Sequence, residues 1–111
     1  MRIVFLNVPI CTSHGTYTYA PASLDDIRGL VAYEKINGTE FFSAIGHEAT
    51  AQIMSELLEM GIEVNRVSYK QEPGDICIVF KVNGRILEGK ILSREELDEI
   101  GYCFGILAKE K

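Results

Sequence analysis

A chain of 111 residues is long enough for one modest core and too short for two. Its 47% hydrophobic and 24% charged residues are ordinary for a globular domain, so a single domain over 1–111 is expected. A formal net charge of −5 excludes the broad basic face that unspecific DNA or RNA binding requires.

The first run, "RIVFLNV", is rich in branched and aromatic residues and reads as a buried strand. "PICTSHG" follows as a loop, and "TYTYA" alternates as a short strand. Ser23 can cap a helix whose first turn holds Asp25 and Asp26 and whose spacing runs through about residue 34. The Asn37-Gly38 pair can instead close a hairpin between 31–36 and 39–43. Thr50, Ile53, Met54, Leu57 and Leu58 lie on one stripe, which predicts an amphipathic helix over 47–60 ended by Gly61. "EVNRVSYK" alternates as a strand, "EPGD" turns, and "ICIVFKV" reads as a strand buried on both faces. "NG" at 83–84 signals a hairpin into "RILEGKIL". "SREE" is a capping box from Ser93 to Glu96, opening a helix to about Ile100 before the final strand "YCFGILA". The expected fold is α/β: one mixed sheet of about five strands with helices packed on it.

No apolar run is long enough to cross a bilayer, the longest being of the kind of "ICIVF", and the N-terminal residues show no signal-peptide pattern. A cytoplasmic, membrane-free protein is expected. Cys11, Cys77 and Cys103 stand far apart and form no CxxC pair; Cys77 and Cys103 sit in apolar contexts and read as buried thiols. With His14 and His47 as the two imidazoles, neither a metal site nor a cofactor is expected. No P-loop and no GxGxxG occurs.

Charge is unevenly distributed. Residues 1–61 carry three Lys/Arg against seven Asp/Glu, whereas residues 62–90 carry five against four. An anion site therefore draws on Arg66, Lys70, Lys81, Arg85 or Lys90. The stretch "FFSAIGHEATAQI" places Gly46 and His47 at the start of the amphipathic helix. There the unpaired backbone N–H groups attract phosphate, Gly46 lets a ligand approach, and an imidazole can act as a general acid. The alternative is a histidine that merely caps the core. Arg66 and Arg85 suit phosphate because the guanidinium fork binds two oxygens, although solvated surface arginines read the same way. Glu88 can orient an arginine or the imidazole, or be a surface acid. Thr12 and Ser13 can offer hydroxyls from the loop after the first strand, and His14 reads as an exposed loop residue.

Together, "SAIGHEAT", "NRVSYK" and "RILEGKIL" resemble the small ring nuclease family of archaeal viruses and phages, anti-CRISPR proteins acting against type III systems. The resemblance covers about residues 43–95 and, loosely, the opening strand. It implies a homodimer that binds cyclic tetra-adenylate across its interface and cuts it without metal to linear di-adenylate with 2′,3′-cyclic phosphate ends. It also implies roles for individual residues: His47 catalytic, Arg66 and Arg85 on phosphate, Glu88 as the acidic active-site residue, Thr50 and Asn7 on the ligand. The family's serine farther along the loop after the first strand has no clear counterpart here, where Cys11, Thr12 and Ser13 stand nearby. Two other classes fit the residues less fully: a protein that sequesters a cyclic oligonucleotide without cutting it, and a protein-interaction domain pairing through a sheet edge.

Overall fold

The first strand, β1 (Arg2–Leu6), is buried from Ile3 through Leu6, so it needs cover on both faces and a neighbour on each side. The computed structural model, which describes residues 2–8, 14–83 and 93–110, supplies both. β3 (Glu40–Ser43) and β4 (Ile76–Val82) flank β1 in parallel; β5 (Tyr102–Lys109) runs antiparallel to β4, and β2 (Tyr17–Ala22) closes that edge. The order is β2-β5-β4-β1-β3, a five-stranded mixed sheet as the sequence leads one to expect.

Side-chain alternation divides the core. Ile3, Phe5, Ile78, Phe80 and Phe104 face the helices α1 (Leu24–Ile36), α2 (Glu48–Leu58) and α3 (Arg94–Ile100). Ile27 and Val31 anchor α1, Ile53, Met54 and Leu57 anchor α2, and Leu97 anchors α3. Each such buried side chain contributes roughly 1.5–3 kcal/mol, which fixes α2 on the sheet. Val4, Leu6, Cys77, Val79 and Leu107 point to the opposite face, where Tyr69 from the connection after α2 joins them. The helices thus pack on one face, and the peptide after α2 passes from that face at Ile62 to the other at Tyr69.

Both serine caps form as expected. Ser23 Oγ accepts from the Asp26 N–H at 3.0 Å and Ser93 Oγ from the Glu96 N–H at 3.2 Å, each carboxylate answering at the cap N–H. The alternative hairpin at Asn37-Gly38 does not form. Helix α1 continues to Ile36, and Gly38, at φ +71°, closes it: its N–H donates to the Lys35 carbonyl and the Thr39 N–H to that of Glu34. The next residues then enter β3 parallel to β1. The buried Ile27 and Val31 outweigh the local turn preference.

Three further expectations are corrected. Helix α2 stops at Glu59, in the left-handed region (φ 54°), two residues before Gly61. Ser55 makes this possible: its hydroxyl donates towards the Ala51 and Ile62 carbonyls and accepts from the Ile62 N–H, pinning the return. The residues of "EVNRVSYK" form no strand, because that alternation does not report one buried face: Val64 and Val67 are 39% and 47% exposed. Cys77 is buried, but Cys103 is exposed on the helix-free side of β5. The Asn83-Gly84 hairpin, "RILEGKIL" and Cys11 lie outside the described residues in whole or in part.

At the amino ends of β1 and β4 a polar cluster pins the peptide after α2. Asp75, 4% exposed, takes a salt bridge from Arg2 at 2.9 Å and a hydrogen bond from the Tyr69 hydroxyl at 2.8 Å. Gln71 Nε2 donates to the carbonyls of Asp75 and Leu107. Burial opposes the charge on Asp75. The hydrogen bonds from Arg2, Tyr69 and the Glu72 N–H outweigh it and hold the carboxyl below its usual range, while burial and Asp75 push the Tyr69 phenol up. Because the folded carboxyl is the stronger acid, its stabilisation is present above about pH 4 and lost as pH falls through the depressed value. Asp75→Asn is expected to lower unfolding free energy by roughly 1–3 kcal/mol at pH 7. Urea denaturation should show the wild type converging on the variant as pH drops below about 4.

Candidate functional site

The parallel strands deliver the candidate residues to one edge. Asn7 follows β1 directly, and β1 pairs in register with β3 up to Phe5 and Ser43, the Ala44 N–H extending the ladder to the Phe5 carbonyl at 3.0 Å. Three residues later the chain turns into α2. Gly46 and His47 therefore follow the carboxyl end of edge strand β3, next to the end of β1, and the carboxyl ends of parallel strands are where open α/β sheets place ligands.

His47 occupies the N-cap of α2 with extended backbone (φ −129°, ψ 120°). Its carbonyl accepts the first helical bond, from the Ala51 N–H at 3.0 Å, but its side chain caps nothing. Helices α1 and α3 have serine boxes; α2 leaves its first N–H groups without a side-chain cap. The imidazole is half-buried, and its Nδ1 is out of solvent with no hydrogen-bond partner among the described residues. Leaving such a group unpaired costs about 1–3 kcal/mol. Glu48 stands exposed in the first turn.

Arg66 reaches the same place from the opposite strand of chain. Its Nε donates to the Gly46 carbonyl at 2.9 Å, while the side chain remains exposed. Among the described residues its Nη groups make no hydrogen bond, so the fork is held by its stem and presented at its tip. The Val67 N–H donates to the Asn65 carbonyl at 3.0 Å, closing a three-residue turn with Arg66 at its apex. Arg66 thus rides a turn, and the strand face expected for it does not exist.

Two residues that the sequence reading passed over hold this turn. Ser43 Oγ donates to the Glu63 carbonyl at 2.6 Å, and Asn65 Nδ2 donates to the Ser43 carbonyl at 2.8 Å. The Asn65 N–H donates to the Ile45 carbonyl, also at 2.8 Å. No spacing rule finds such bonds, which join residues about 20 apart.

The structure therefore brings together Gly46, His47 and Arg66, with Asn7 at the end of the adjacent strand. Thr50 is 7% exposed, directed into the protein from the first turn of α2. His14 is exposed, as expected. Thr12, Ser13, Arg85 and Glu88 lie outside the described residues. Among the described residues no group of three or more His, Cys, Asp or Glu side chains is placed to hold a metal ion, and no helix is long and apolar enough to cross a membrane.

Gly46 does not need glycine for its backbone, since its φ is not positive, and a Cβ there would meet Arg66 Cγ at an ordinary 3.5 Å. Gly46→Ala is expected to fold with stability unchanged or raised by up to about 1 kcal/mol. Thermal unfolding checks this, and any ligand affinity lost by that variant then reports close approach of the ligand to the backbone.

A family profile described as STIV B116-like matches residues 3–104. An uncharacterised protein of Bacillus subtilis, YddF, is 31% identical over 109 residues, spanning 98% of both chains. Uncharacterised protein 26 of a Sulfolobus islandicus filamentous virus is 36% identical over 72 residues, 64% of this chain and 61% of its own. In solved structures, B116 of Sulfolobus turreted icosahedral virus superposes with a TM-score of 0.80 at 22% identity, covering 97% of this chain and 99% of its own, and so shares the fold. With a profile match over nearly its whole length, and relatives in both archaeal viruses and a bacterium, this chain belongs to the STIV B116-like family.

Proposed function

We propose that the chain is a metal-independent ring nuclease that opens cyclic tetra-adenylate to linear di-adenylate in the cytoplasm, damping type III CRISPR signalling. The observation that carries this reading is the junction at Gly46-His47: an uncapped helix start, an imidazole with a buried unpaired nitrogen, and a guanidinium tied to the preceding carbonyl. The resemblance of "SAIGHEAT", "NRVSYK" and "RILEGKIL" to ring nucleases gives that junction a substrate.

The substrate supplies its own nucleophile. A ribose 2′-hydroxyl attacks the adjacent phosphorus, the bond to the 5′ oxygen breaks, and a 2′,3′-cyclic phosphate remains. The hydroxyl proton passes to water. Charge accumulating on the phosphate oxygens is met by the N–H groups of α2 and by Arg66 and Arg85. His47 protonates the departing 5′ oxygen. With Nδ1 out of solvent, the proton delivered to the 5′ oxygen is carried on Nε2. Asn7 and the hydroxyls of Thr12 and Ser13 complete the contacts to the ring, whereas Thr50, buried in the first turn of α2, is left out of them.

A homodimer accounts for the charge balance. Two copies of a local cationic rim each neutralise part of a four-phosphate ring, so a chain of net charge −5 needs no broad basic surface.

The decisive experiment incubates the protein with cyclic tetra-adenylate in EDTA and follows products by chromatography. Linear di-adenylate ending in a cyclic phosphate, over many turnovers, is the expected outcome. An intact ring held in stoichiometric complex would instead identify a sequestering protein. His47→Ala is expected to lose on the order of 10²-fold or more in rate while ring binding and fold are kept; undiminished cleavage would remove His47 from the mechanism.

A further inference from the structure

The guanidinium of Arg66 faces solvent on a long, flexible stem, yet its Nε is fixed on a carbonyl of a different segment. Something must hold the backbone of the turn at that distance. Asn65 does so twice, through its N–H to Ile45 and its carboxamide to Ser43, immediately before the residue it serves. Beyond Val67 the nearest anchor is Tyr69 on the far face of the sheet, and Val64, Arg66, Val67 and Ser68 themselves are all exposed. The turn therefore depends on Asn65 for its placement beside Gly46.

We propose that Asn65 is the positioning residue for Arg66: the Asn65 amide, donating to the Ser43 carbonyl, fixes the turn so that the Arg66 Nη groups meet an anionic ligand in one preset orientation. An arginine free to roam must lose its rotamer freedom when the ligand binds; one already seated on Gly46 has lost it beforehand. The amide is specifically required. A carboxylate at position 65 has the same shape, but it cannot donate and would set oxygen against the Ser43 carbonyl oxygen. The identity of the ligand as a phosphodiester of cyclic tetra-adenylate rests on the function proposed above; the seating of Arg66 does not.

Two measurements on the full chain separate these. In ligand-free protein, exchange of the Arg66 Nε–H is followed by nitrogen-15 NMR for wild type, Asn65→Asp and Asn65→Ala, with thermal unfolding confirming that each is folded. Exchange is expected to quicken by about tenfold in both variants, the scale of one lost hydrogen bond. Unchanged exchange in folded Asn65→Asp overturns the proposal whatever the protein does to nucleotides. In the second measurement, ring cleavage (kcat/KM) is compared for Asn65→Asp with and without Arg66→Ala. About a tenfold loss in the wild-type background and none in the Arg66→Ala background is expected for a residue acting through the arginine. Equal losses in both backgrounds would show a general structural role and sink the idea. If wild type neither cuts nor binds the ring, the proposed function falls, and the exchange measurement alone decides the role of Asn65.

Discussion

The hydrogen bonds that join the peptide of Ser43 to Gly46 with that of Glu63 to Arg66 are the contacts on which the candidate site depends. The sheet fixes the first peptide, because β3 ends in register with β1. The second peptide has no ladder of its own and borrows its position from the first. Helix α2 then starts where they meet, oriented by Ile53, Met54 and Leu57 in the core below. Imidazole, helix start and guanidinium are neighbours because one strand end serves as the template for all three.

The two ends of the parallel strands contrast in their polar accounting. At the amino ends, Arg2, Asp75, Tyr69, Gln71 and Lys109 form a joined network over aromatic rings, with the Arg2 guanidinium 5.3 Å from the Phe42 ring centre. At the carboxyl ends a helix start goes uncapped and a buried nitrogen goes unpaired. The amino ends are thus tied by side chains, and the carboxyl ends by the backbone of a turn.

Much of the scaffold was legible from the residues. Ser23 and Ser93 announce helices through a local, two-partner motif, and Ile53, Met54, Leu57 and Leu58 through a period that nothing else imitates. The central strands show because burial on both faces demands unbroken apolar runs. The failures at the turn and at the end of α2 share a cause: each turned on a hydrogen bond that no residue spacing announces. The alternation in "EVNRVSYK" resembles a strand, yet without a pairing partner on that side it remains a tethered turn. Glu59 takes the left-handed position that Gly61 seemed to claim, because Ser55 grips Ile62. Gly46, His47 and Arg66 could be named individually, but their adjacency is set by Ser43 and Asn65, whose partners no local pattern discloses.

Among the described residues strand β3 stands last in the sheet, with Phe41 and Phe42 in its middle. Met60 to Glu63 line one hollow with those two phenylalanines, and the Asn65 N–H occupies the Ile45 carbonyl just past the strand's end. The same peptide that carries the guanidinium therefore occupies the carbonyls at the end of this border, where a bare edge invites strand addition. A sequence drifting towards a looser, more adaptable arginine would also bare an aromatic, unpaired margin. The seat of the guanidinium and the cover of this border are consequently bound into a single loop, and a change to one is a change to the other.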